Sequence, residues 1–298
     1  MSKNRNSNVE IKVWGRWRIA WACQANLPNC RELLNAGEID GLGISPAHGS
    51  DFECVVELLG INNLYSLVLP FCETLNLDGL DSMIQLRHVV VAGARGEVDL
   101  TKFSRLTDAS LDWDPGLHLP KSSTSLKRLR LDNFHSRSKG LMEIARFSNL
   151  ESLELVKGKI TSLEGIQELE HLQCVELHYM SQLTSIRHIV GTPVERLTLT
   201  NCKKLEDIRS VSGCLKLQVL RYHDSAPLDT IEFVYDCPAL TEFRFVGVNV
   251  RDGNMIPLVK LQEFAFTQKK HFSHTEKDIR LLQGEAAGKG VTGKGVRR

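Results

Sequence analysis

The chain has 298 residues, and its 37 basic and 36 acidic side chains leave a formal net charge of +1. A nearly neutral chain lacks the basic excess typical of proteins that bind DNA or RNA, so nucleic acid is not expected as the main ligand. The longest uncharged apolar run is far shorter than the ~20 residues that a membrane-spanning helix needs. We therefore predict neither a nucleic-acid-binding protein nor a membrane protein.

The first 38 residues precede the regular part of the sequence. Residues 1–8 are polar and lack the apolar core of a secretory signal, so we predict a disordered N-terminus. Residues 9–38 contain a predicted strand over 16–23 and a predicted short helix over 28–35, which Gly37 ends. We predict that residues 9–38 form an N-terminal cap.

Three of the four tryptophans of the chain, Trp14, Trp17 and Trp21, lie in this predicted cap. Large aromatic side chains bury more area per residue than other side chains do. The favoured interpretation is therefore that they cover the apolar end of the structure that follows. The alternative is that the cluster binds a sugar or a partner.

A short motif recurs after the predicted cap: an aliphatic residue, two variable residues, an apolar residue, one variable residue and a third apolar residue. Its copies follow one another at steps of 20 to 24 residues, and an eleventh, weaker copy begins at Ile39. A period of this length is the signature of repeats that stack on one another. The ten clear copies begin at Leu64, Leu86, Leu106, Leu126, Leu150, Leu172, Val194, Leu217, Leu240 and Leu261.

The spacing within each repeat predicts its local structure. The alternation of apolar and variable residues at the end of the motif is the pattern of a strand with one buried face. The following stretch contains aliphatic residues spaced by three, such as Leu163, Ile166 and Leu169, which suit a 3₁₀ or short α segment. We predict an α/β solenoid, curved, with a parallel sheet on its concave face and short helices on its convex face.

Four copies show the motif most clearly: Leu64–Leu69, Leu126–Leu131, Leu150–Leu155 and Val194–Leu199. The pattern resembles the leucine-rich repeat, L-x-x-L-x-L-x-x-N/C-x-L, and the resemblance extends over residues 39–267. It implies a leucine-rich-repeat solenoid of about 10 to 11 short repeats, as in stand-alone cytosolic members of the family. Such proteins act by binding other proteins, which is the role that the resemblance implies here.

The ninth position of the family pattern departs from expectation in this chain. The family usually has Asn or Cys there, and only Cys72 and Cys202 match. In the family this side chain satisfies backbone groups in the turn after the strand, and the asparagines of successive repeats form a ladder. Because this chain lacks that ladder, we expect irregular turns and repeats of variable length. The other residues at this position include Phe134, Gly158, Met180 and Val248.

The eight cysteines are scattered through the chain, whereas secreted members of the family usually cluster them in terminal caps. Cys23 and Cys30 could pair, but reduced buried thiols are the favoured interpretation. A cytoplasmic location is therefore predicted.

The end of the chain contains a further helix signal. Ser273 and Glu276 have the spacing of a capping box, and aliphatic residues follow them before Gly284. We predict a C-terminal capping helix within residues 268–283. Residues 284–298 contain little that could pack and are expected to form a flexible tail.

Strand register indicates where a partner would bind. Residues at motif positions three, five and seven point away from the core. In the first repeats these positions hold small or apolar residues such as Gly41, Gly43 and Val68, whereas the middle and later repeats hold charged ones. The predicted partner-binding residues are Asp108, Asp112, Arg128, Arg130, Asp132, Glu154, Glu176, His178, Arg196, Arg221, His223, Glu242 and Arg244. The alternative is an uncommitted, solvated sheet face.

Signals of catalysis are weak. Residues 288–295 resemble a phosphate-binding loop but have Gly in place of the metal-binding Ser or Thr, and no strand precedes them. The histidine pairs, His271 with His274 and His178 with His223, lack the accompanying ligands of a metal site. No nucleophile is placed beside a base by spacing. We expect no enzyme, no cofactor and no bound metal.

The predicted function is a non-enzymatic module that binds a protein partner through its concave face. Two narrower alternatives remain. One is an immunity protein that binds and neutralises a toxin, since sequestering a target requires only surface. The other is a regulatory subunit of an enzyme such as a phosphatase.

Overall fold

A computed structural model describes residues 9–71, 73, 75–93, 98–113, 117–118 and 125–291. The chain divides into two units. Unit 1 comprises residues 1–133 and 146–150, and unit 2 comprises residues 134–145 and 151–298. The predicted disordered residues 1–8 and the last seven residues of the predicted tail lie outside the described part of the chain.

Among its described residues, unit 1 contains a sheet, one α-helix, four 3₁₀ helices and a small additional strand pair. The α-helix is α1 (Leu27–Asn35), and the 3₁₀ helices are Pro46–His48, Val55–Leu58, Leu80–Ser82 and Leu100–Lys102. Its strands are β1 (Ile11–Trp14), β2 (Trp17–Trp21), β3 (Gly41–Gly43), β4 (Ser66–Leu69), β5 (His88–Val91), β6 (Val98–Asp99), β7 (Asp108–Asp112), β8 (Leu117–His118) and β9 (Arg128–Asp132). The main sheet has the order β1-β2-β3-β4-β5-β7-β9. Only β1 runs antiparallel to its neighbour in that sheet, while β6 and β8 form a separate parallel pair.

The predicted strand and helix of residues 9–38 are present as β2 and α1, but the sequence did not predict β1. β1 and β2 form a hairpin in which Trp14 lies opposite Trp17. Gly15 has φ +61°, a left-handed conformation that glycine adopts without steric cost, and it allows the tight connection. β1 has no repeat partner in the sequence, so the repeat period could not reveal it. The assignment of residues 9–38 as a cap stays a prediction.

The described residues of unit 2 contain six strands, with a 3₁₀ helix between each strand and the next. Its strands are β10 (Ser152–Val156), β11 (Cys174–His178), β12 (Arg196–Thr200), β13 (Val219–His223), β14 (Glu242–Phe245) and β15 (Glu263–Phe266). Each strand pairs in parallel with the next, with equal motif positions opposite one another. Single-turn 3₁₀ helices lie between the strands, at Ile166–Glu168, Arg187–Ile189, Arg209–Gly213, Glu232–Asp236 and Ile256–Lys260. The predicted α/β repeat architecture is confirmed.

The core of unit 2 contains the apolar motif positions. Leu153, Val175, Leu197 and Leu220 follow one another in register on successive strands, and none exposes any surface. Successive side chains of a strand point to opposite sides of the sheet. The residues directly before and after each of these four therefore lie on the other side. We call the side formed by motif positions three, five and seven the open face.

The turns after β10 to β14 share one conformation, so the expectation of irregular turns is wrong for them. In each of these turns the residue at motif position eight has a positive φ, as at Lys157 (φ +56°) and Tyr179 (φ +58°), whereas Gln268 after β15 does not. The backbone N–H of Lys157 donates to the carbonyl of His178 on the next strand at 2.8 Å, which extends the ladder by one bond. At position nine, a Cβ on Gly158 would lie 2.7 Å from Sδ of Met180, so the methionine occupies that space. Apolar packing thus replaces the asparagine ladder.

The last element of the described residues is the helix α2 (Glu276–Val291). Its cap differs from the predicted one: Thr275 N–H donates to Oδ2 of Asp278 at 2.8 Å, and Asp278 N–H donates to Oγ1 of Thr275 at 3.3 Å. The helix also continues through Gly284, so its expected end there is wrong. A glycine inside a helix costs only about 1 kcal/mol relative to alanine, so Gly284 alone does not end the helix, which also contains Gly288 and Gly290.

Membrane spanning requires a long apolar helix. Neither α1 nor α2, nor any other helix in the part of the chain that the structure describes, has that length and apolar character.

Candidate partner-binding surface

The open face of unit 2 contains a column of charged side chains ordered by sign. The position-five residues of β10 to β14 are Glu154, Glu176, Thr198, Arg221 and Arg244, and strand register places them side by side. Neighbouring strands lie about 4.8 Å apart. We call these five residues the second column. It therefore has an acidic end on β10 and β11 and a basic end on β13 and β14, with a neutral hydroxyl between them.

The basic end is held in place by one carboxylate. Glu242, at position three of β14, lies 3.0 Å from Nε of Arg221 and 2.9 Å from Nε of Arg244. The glutamate side chain is 15% exposed, whereas the two arginine side chains are 47% and 42% exposed. Two cations share one anion, so this cluster retains a positive charge that faces solvent. Arg196 on β12 is also exposed and adds a further positive charge.

The acidic end contains a carboxylate with local hydrogen bonds. Glu176 Oε2 lies 3.4 Å from Nε2 of His178 on the same strand. This hydrogen bond is the largest cause of a pKa of Glu176 below its usual value, so the carboxylate is ionised at neutral pH. Sγ of Cys174 contacts the other oxygen of Glu176 at 3.8 Å. Burial is the main reason why the pKa of Cys174 is raised, so its thiol stays protonated.

His223 supplies a neutral donor at position seven of β13. The backbone N–H of Val246 donates to its Nδ1 at 3.3 Å, which places the ring proton on Nε2. Burial lowers the pKa of His223 from its usual value, in agreement with a neutral ring. All eight predicted residues of unit 2 thus lie on one face of consecutive strands.

In unit 1 the predicted residues have a different environment, and Asp108 in particular is not a surface residue. Its side chain is 10% exposed, accepts a hydrogen bond from Nη2 of Arg16 at 3.1 Å and from Oγ1 of Thr107 at 2.5 Å, and forms a close ion pair with Arg128. The expectation that it projects into solvent is wrong, because the turn between β1 and β2 supplies Arg16, which the repeat pattern does not reveal.

The other predicted residues of unit 1 are partly engaged with the protein itself. Arg130 Nη2 lies 3.2 Å from Oδ1 of Asp132, and the arginine side chain is 41% exposed. Asp112 Oδ2 accepts a hydrogen bond from the backbone N–H of Gly93 at 2.8 Å. A binding role for Asp112, Arg128, Arg130 and Asp132 stays a prediction.

Tryptophans cover the open face of the first repeats. Trp21 is 5% exposed and packs with Ile19, Val68 and Val90, which lie at open-face positions. A Cβ on Gly43 would lie 2.6 Å from the Trp21 ring, so only glycine leaves room for it. The small residues noted in the sequence therefore accommodate the protein's own aromatic side chains. We expected the tryptophans to cover the end of the repeats, and Trp21 instead lies on the face.

A row of Ser66, His88 and Asp108 lies beside this cluster on adjacent strands. Ser66 Oγ is 2.7 Å from Nδ1 of His88, and the Trp17 ring stacks on His88 with centroids 5.6 Å apart. These are the residue types of a hydrolytic triad, but Ser66 exposes no surface and the Asp108 carboxylate is bound by arginines. A substrate cannot reach Ser66 in this arrangement. The row acts as a buried polar layer.

Within the residues that the structure describes, no group of three or more His, Cys, Asp or Glu side chains is arranged to hold a metal ion. His271 instead bonds the carbonyl of Val250 through Nε2 at 2.9 Å, and His274 bonds Oγ of Ser273 through Nδ1 at 2.8 Å.

Comparison with solved structures identifies the fold. An internalin, inlF, from Listeria monocytogenes has a TM-score of 0.54 and 17% sequence identity over 80% of this chain and 70% of that one. A leucine-rich-repeat protein of Leptospira interrogans scores 0.46 with 18% identity over 74% and 52% of the two chains. A plant peptide hormone receptor in complex with RGF2 scores 0.41 with 15% identity over 80% and 45%. The last two scores are too low to support an argument.

No protein-family model matches the chain, and no curated protein matches it. The similarity to the internalin agrees with the parallel strands, the 3₁₀ helices and the buried leucine positions of both units. The chain therefore has the leucine-rich-repeat fold.

Proposed function

We propose that the protein is a non-enzymatic interaction module whose open face in unit 2 binds another protein. The observation that supports this most is the second column, in which charges of both signs are displayed on strands held rigidly by hydrogen bonds. A rigid display loses little conformational entropy on binding. Complementary charges then steer association and set the orientation of the partner.

The side chains around the second column support the same role. Thr198 and Thr200 on β12 are half-buried and offer hydroxyl groups, and His223 offers an Nε2–H donor. The charged side chains of the second column are exposed or half-buried. A polar surface of this kind suits a protein partner more than a small apolar ligand, which prefers a concave apolar pocket.

We further propose a cytoplasmic location. Seven cysteines lie within the described residues, and all of them are free thiols. Burial raises the pKa of Cys30, Cys202, Cys214 and Cys237 to about 11, so these thiols stay protonated. Free thiols persist in reducing compartments.

Site-specific photo-crosslinking in intact source cells tests the proposed binding surface. One variant has a photoreactive residue in place of Thr198, in the middle of the second column. The matched control has it in place of Leu215, which is 68% exposed and lies in the turn before β13. We expect one protein to crosslink at position 198 and not at 215, and mass spectrometry then identifies it as a toxin, an enzyme or another protein.

Equal crosslinking at both positions, or crosslinking only at 215, would reject the open face as the binding surface. Fractionation of the same cells tests the location, and recovery outside the cytoplasmic fraction would contradict it.

A further inference from the structure

The strand β1 lies at one end of the sheet, and its outer edge is uncovered. In the part of the chain that the structure describes, the sheet order begins with β1, so no strand pairs with its outer side. All four residues of β1 are exposed, including Ile11 at 46% and Val13 at 72%. A free edge that carries apolar side chains is a place where another strand can add to a sheet.

The outward backbone groups of β1 belong to alternate residues. The backbone N–H of Trp21 on β2 donates to the carbonyl of Glu10 at 2.9 Å. In an antiparallel pair, every second residue directs both its N–H and its C=O to the neighbouring strand. Glu10 and Lys12 therefore bond to β2, whereas Ile11 and Val13 direct their N–H and C=O groups to the free edge.

The sequence along this edge is complementary to itself when a second copy runs in the opposite direction. The segment that begins at Val9 reads Val, Glu, Ile, Lys and Val, with Ile11 at its centre. When two copies lie antiparallel about Ile11, each Glu10 is opposite a Lys12 and each Val13 is opposite a Val9. We propose that the β1 strands of two copies of this chain pair in this register and continue the sheet across a two-fold axis.

The directions of the backbone groups agree with this register. Ile11 of one copy lies opposite Ile11 of the other, and their outward N–H and C=O groups can bond each other. Val9 and Val13 can bond across the axis in the same way, which gives about six hydrogen bonds between the copies. An axis at Lys12 would instead place two lysines opposite each other, and an axis at Glu10 would do the same with two glutamates, which is unfavourable.

The side chains on both sides of the sheet also suit the pairing. Glu10 and Lys12 lie 2.9 Å apart and are 53% and 50% exposed. With a second copy in place, their four charges alternate in sign around the axis. A lysine on an edge strand ordinarily opposes the addition of another strand, but here a glutamate lies opposite it. On the other side of the sheet, the exposed Ile11 and Val13 are covered by apolar side chains of the second copy.

Analytical ultracentrifugation of the full chain measures the association. Small interfaces associate weakly, so the chain is followed from about 1 μM to about 1 mM, and we expect a monomer–dimer equilibrium. Val13→Pro removes an outward N–H and no bond to β2, so it should raise the dissociation constant about ten-fold or more. The matched control is Val13→Thr, which keeps the N–H and the branched shape. Its dissociation constant should stay within a few-fold of that of the natural chain.

Charge reversal tests the register at low ionic strength, where exposed charges are screened least. Glu10→Lys and Lys12→Glu each place like charges opposite one another, so each variant alone should dimerise about ten-fold more weakly or worse. In an equimolar mixture of the two variants, every lysine at these positions has a glutamate opposite it. The mixture should therefore associate as tightly as the natural chain does. A variant with both changes in one chain should also dimerise like the natural chain.

Circular dichroism establishes that each variant is folded. A natural chain that stays monomeric over the whole range, or dimerisation of a folded Val13→Pro variant as tight as that of the natural chain, would overturn the inference. A mixture of the two charge variants that associates no more tightly than either variant alone would also overturn it. The paired residues include none of the second column, so crosslinking at Thr198 tests the proposed function separately.

Discussion

Replacing Leu197 by Ala is expected to lower the free energy of unfolding of unit 2 by about 2 to 5 kcal/mol. Leu197 exposes no surface and lies between Val175 and Leu220 on the neighbouring strands. Truncation removes buried methyl groups and leaves a cavity that the hydrogen-bonded strands cannot close. Leu153, which holds the same motif position on β10, should behave in the same way.

Chemical unfolding followed by far-ultraviolet circular dichroism measures this change. Thr198→Ala is the matched control, since it truncates the next residue of the same strand on the open face, and surface changes usually cost no more than about 0.5 kcal/mol. All four tryptophans belong to unit 1, so tryptophan fluorescence follows that unit. A loss for Leu197→Ala no larger than that for Thr198→Ala would contradict the assigned register.

The second large effect is a dependence of stability on pH that arises from His88. Burial is the main reason why the pKa of His88 falls to about 4 in the folded chain, from about 6.5 in an unfolded chain. Arg128 and Arg16 lower the pKa further and Asp108 opposes them, while Ser66 and Trp17 contact the ring. Between these two pKa values the unfolded state binds the proton and the folded state does not.

Stability from this group is therefore complete above about pH 6.5 and is lost as the pH falls toward 4, by roughly 2 to 4 kcal/mol. Tryptophan fluorescence during denaturant titrations at successive pH values measures the free energy of unfolding of unit 1 as a function of pH. His88→Asn, which keeps a polar side chain beside Ser66, and His88→Leu should both flatten the profile between pH 4 and 6.5. If both variants keep the natural slope, His88 is not its source.

The repeat pattern predicted most of the fold because it acts locally. Alternation within each motif determines which side chains of a strand are buried, as for Leu153 and Leu155, and equal spacing places successive strands in parallel register. The side chains left over form the open face, so the unit 2 residues of the candidate surface were also predictable. Both the buried side chains and the strand register can therefore be predicted from the repeats without knowing which distant residues are in contact.

Features that do not recur from repeat to repeat could not be predicted in the same way. The ion pair between Arg16 and Asp108 joins residues 92 positions apart, and the packing of Trp21 over Gly43 depends on a hairpin that has no repeat equivalent. The alternation of apolar and polar residues along a strand identifies which side chains point away from the core. It does not show whether another part of the chain covers them. For this reason Asp108 was expected at the surface and is buried.

The turns and the last helix show a further limit. Lys157 and Tyr179 adopt left-handed conformations that their residue types disfavour by about 1 to 2 kcal/mol, so only the ladder of hydrogen bonds explains them. At the end of the chain, Ser273 and Thr275 both stand three residues before an acidic residue, and the sequence does not distinguish the two possible capping boxes.

The most direct test of the binding surface compares two variants of equal charge against the partner identified by crosslinking. In one variant Arg196, Arg221 and Arg244 on the open face are replaced by Glu. In the other Lys203, Lys204 and Lys216, which are exposed in turns of unit 2, are replaced by Glu. We expect the first variant to bind at least a hundred times more weakly than the natural chain, with circular dichroism unchanged, and the second to bind within a few-fold of it. Equal affinity of the two variants would contradict binding through the open face.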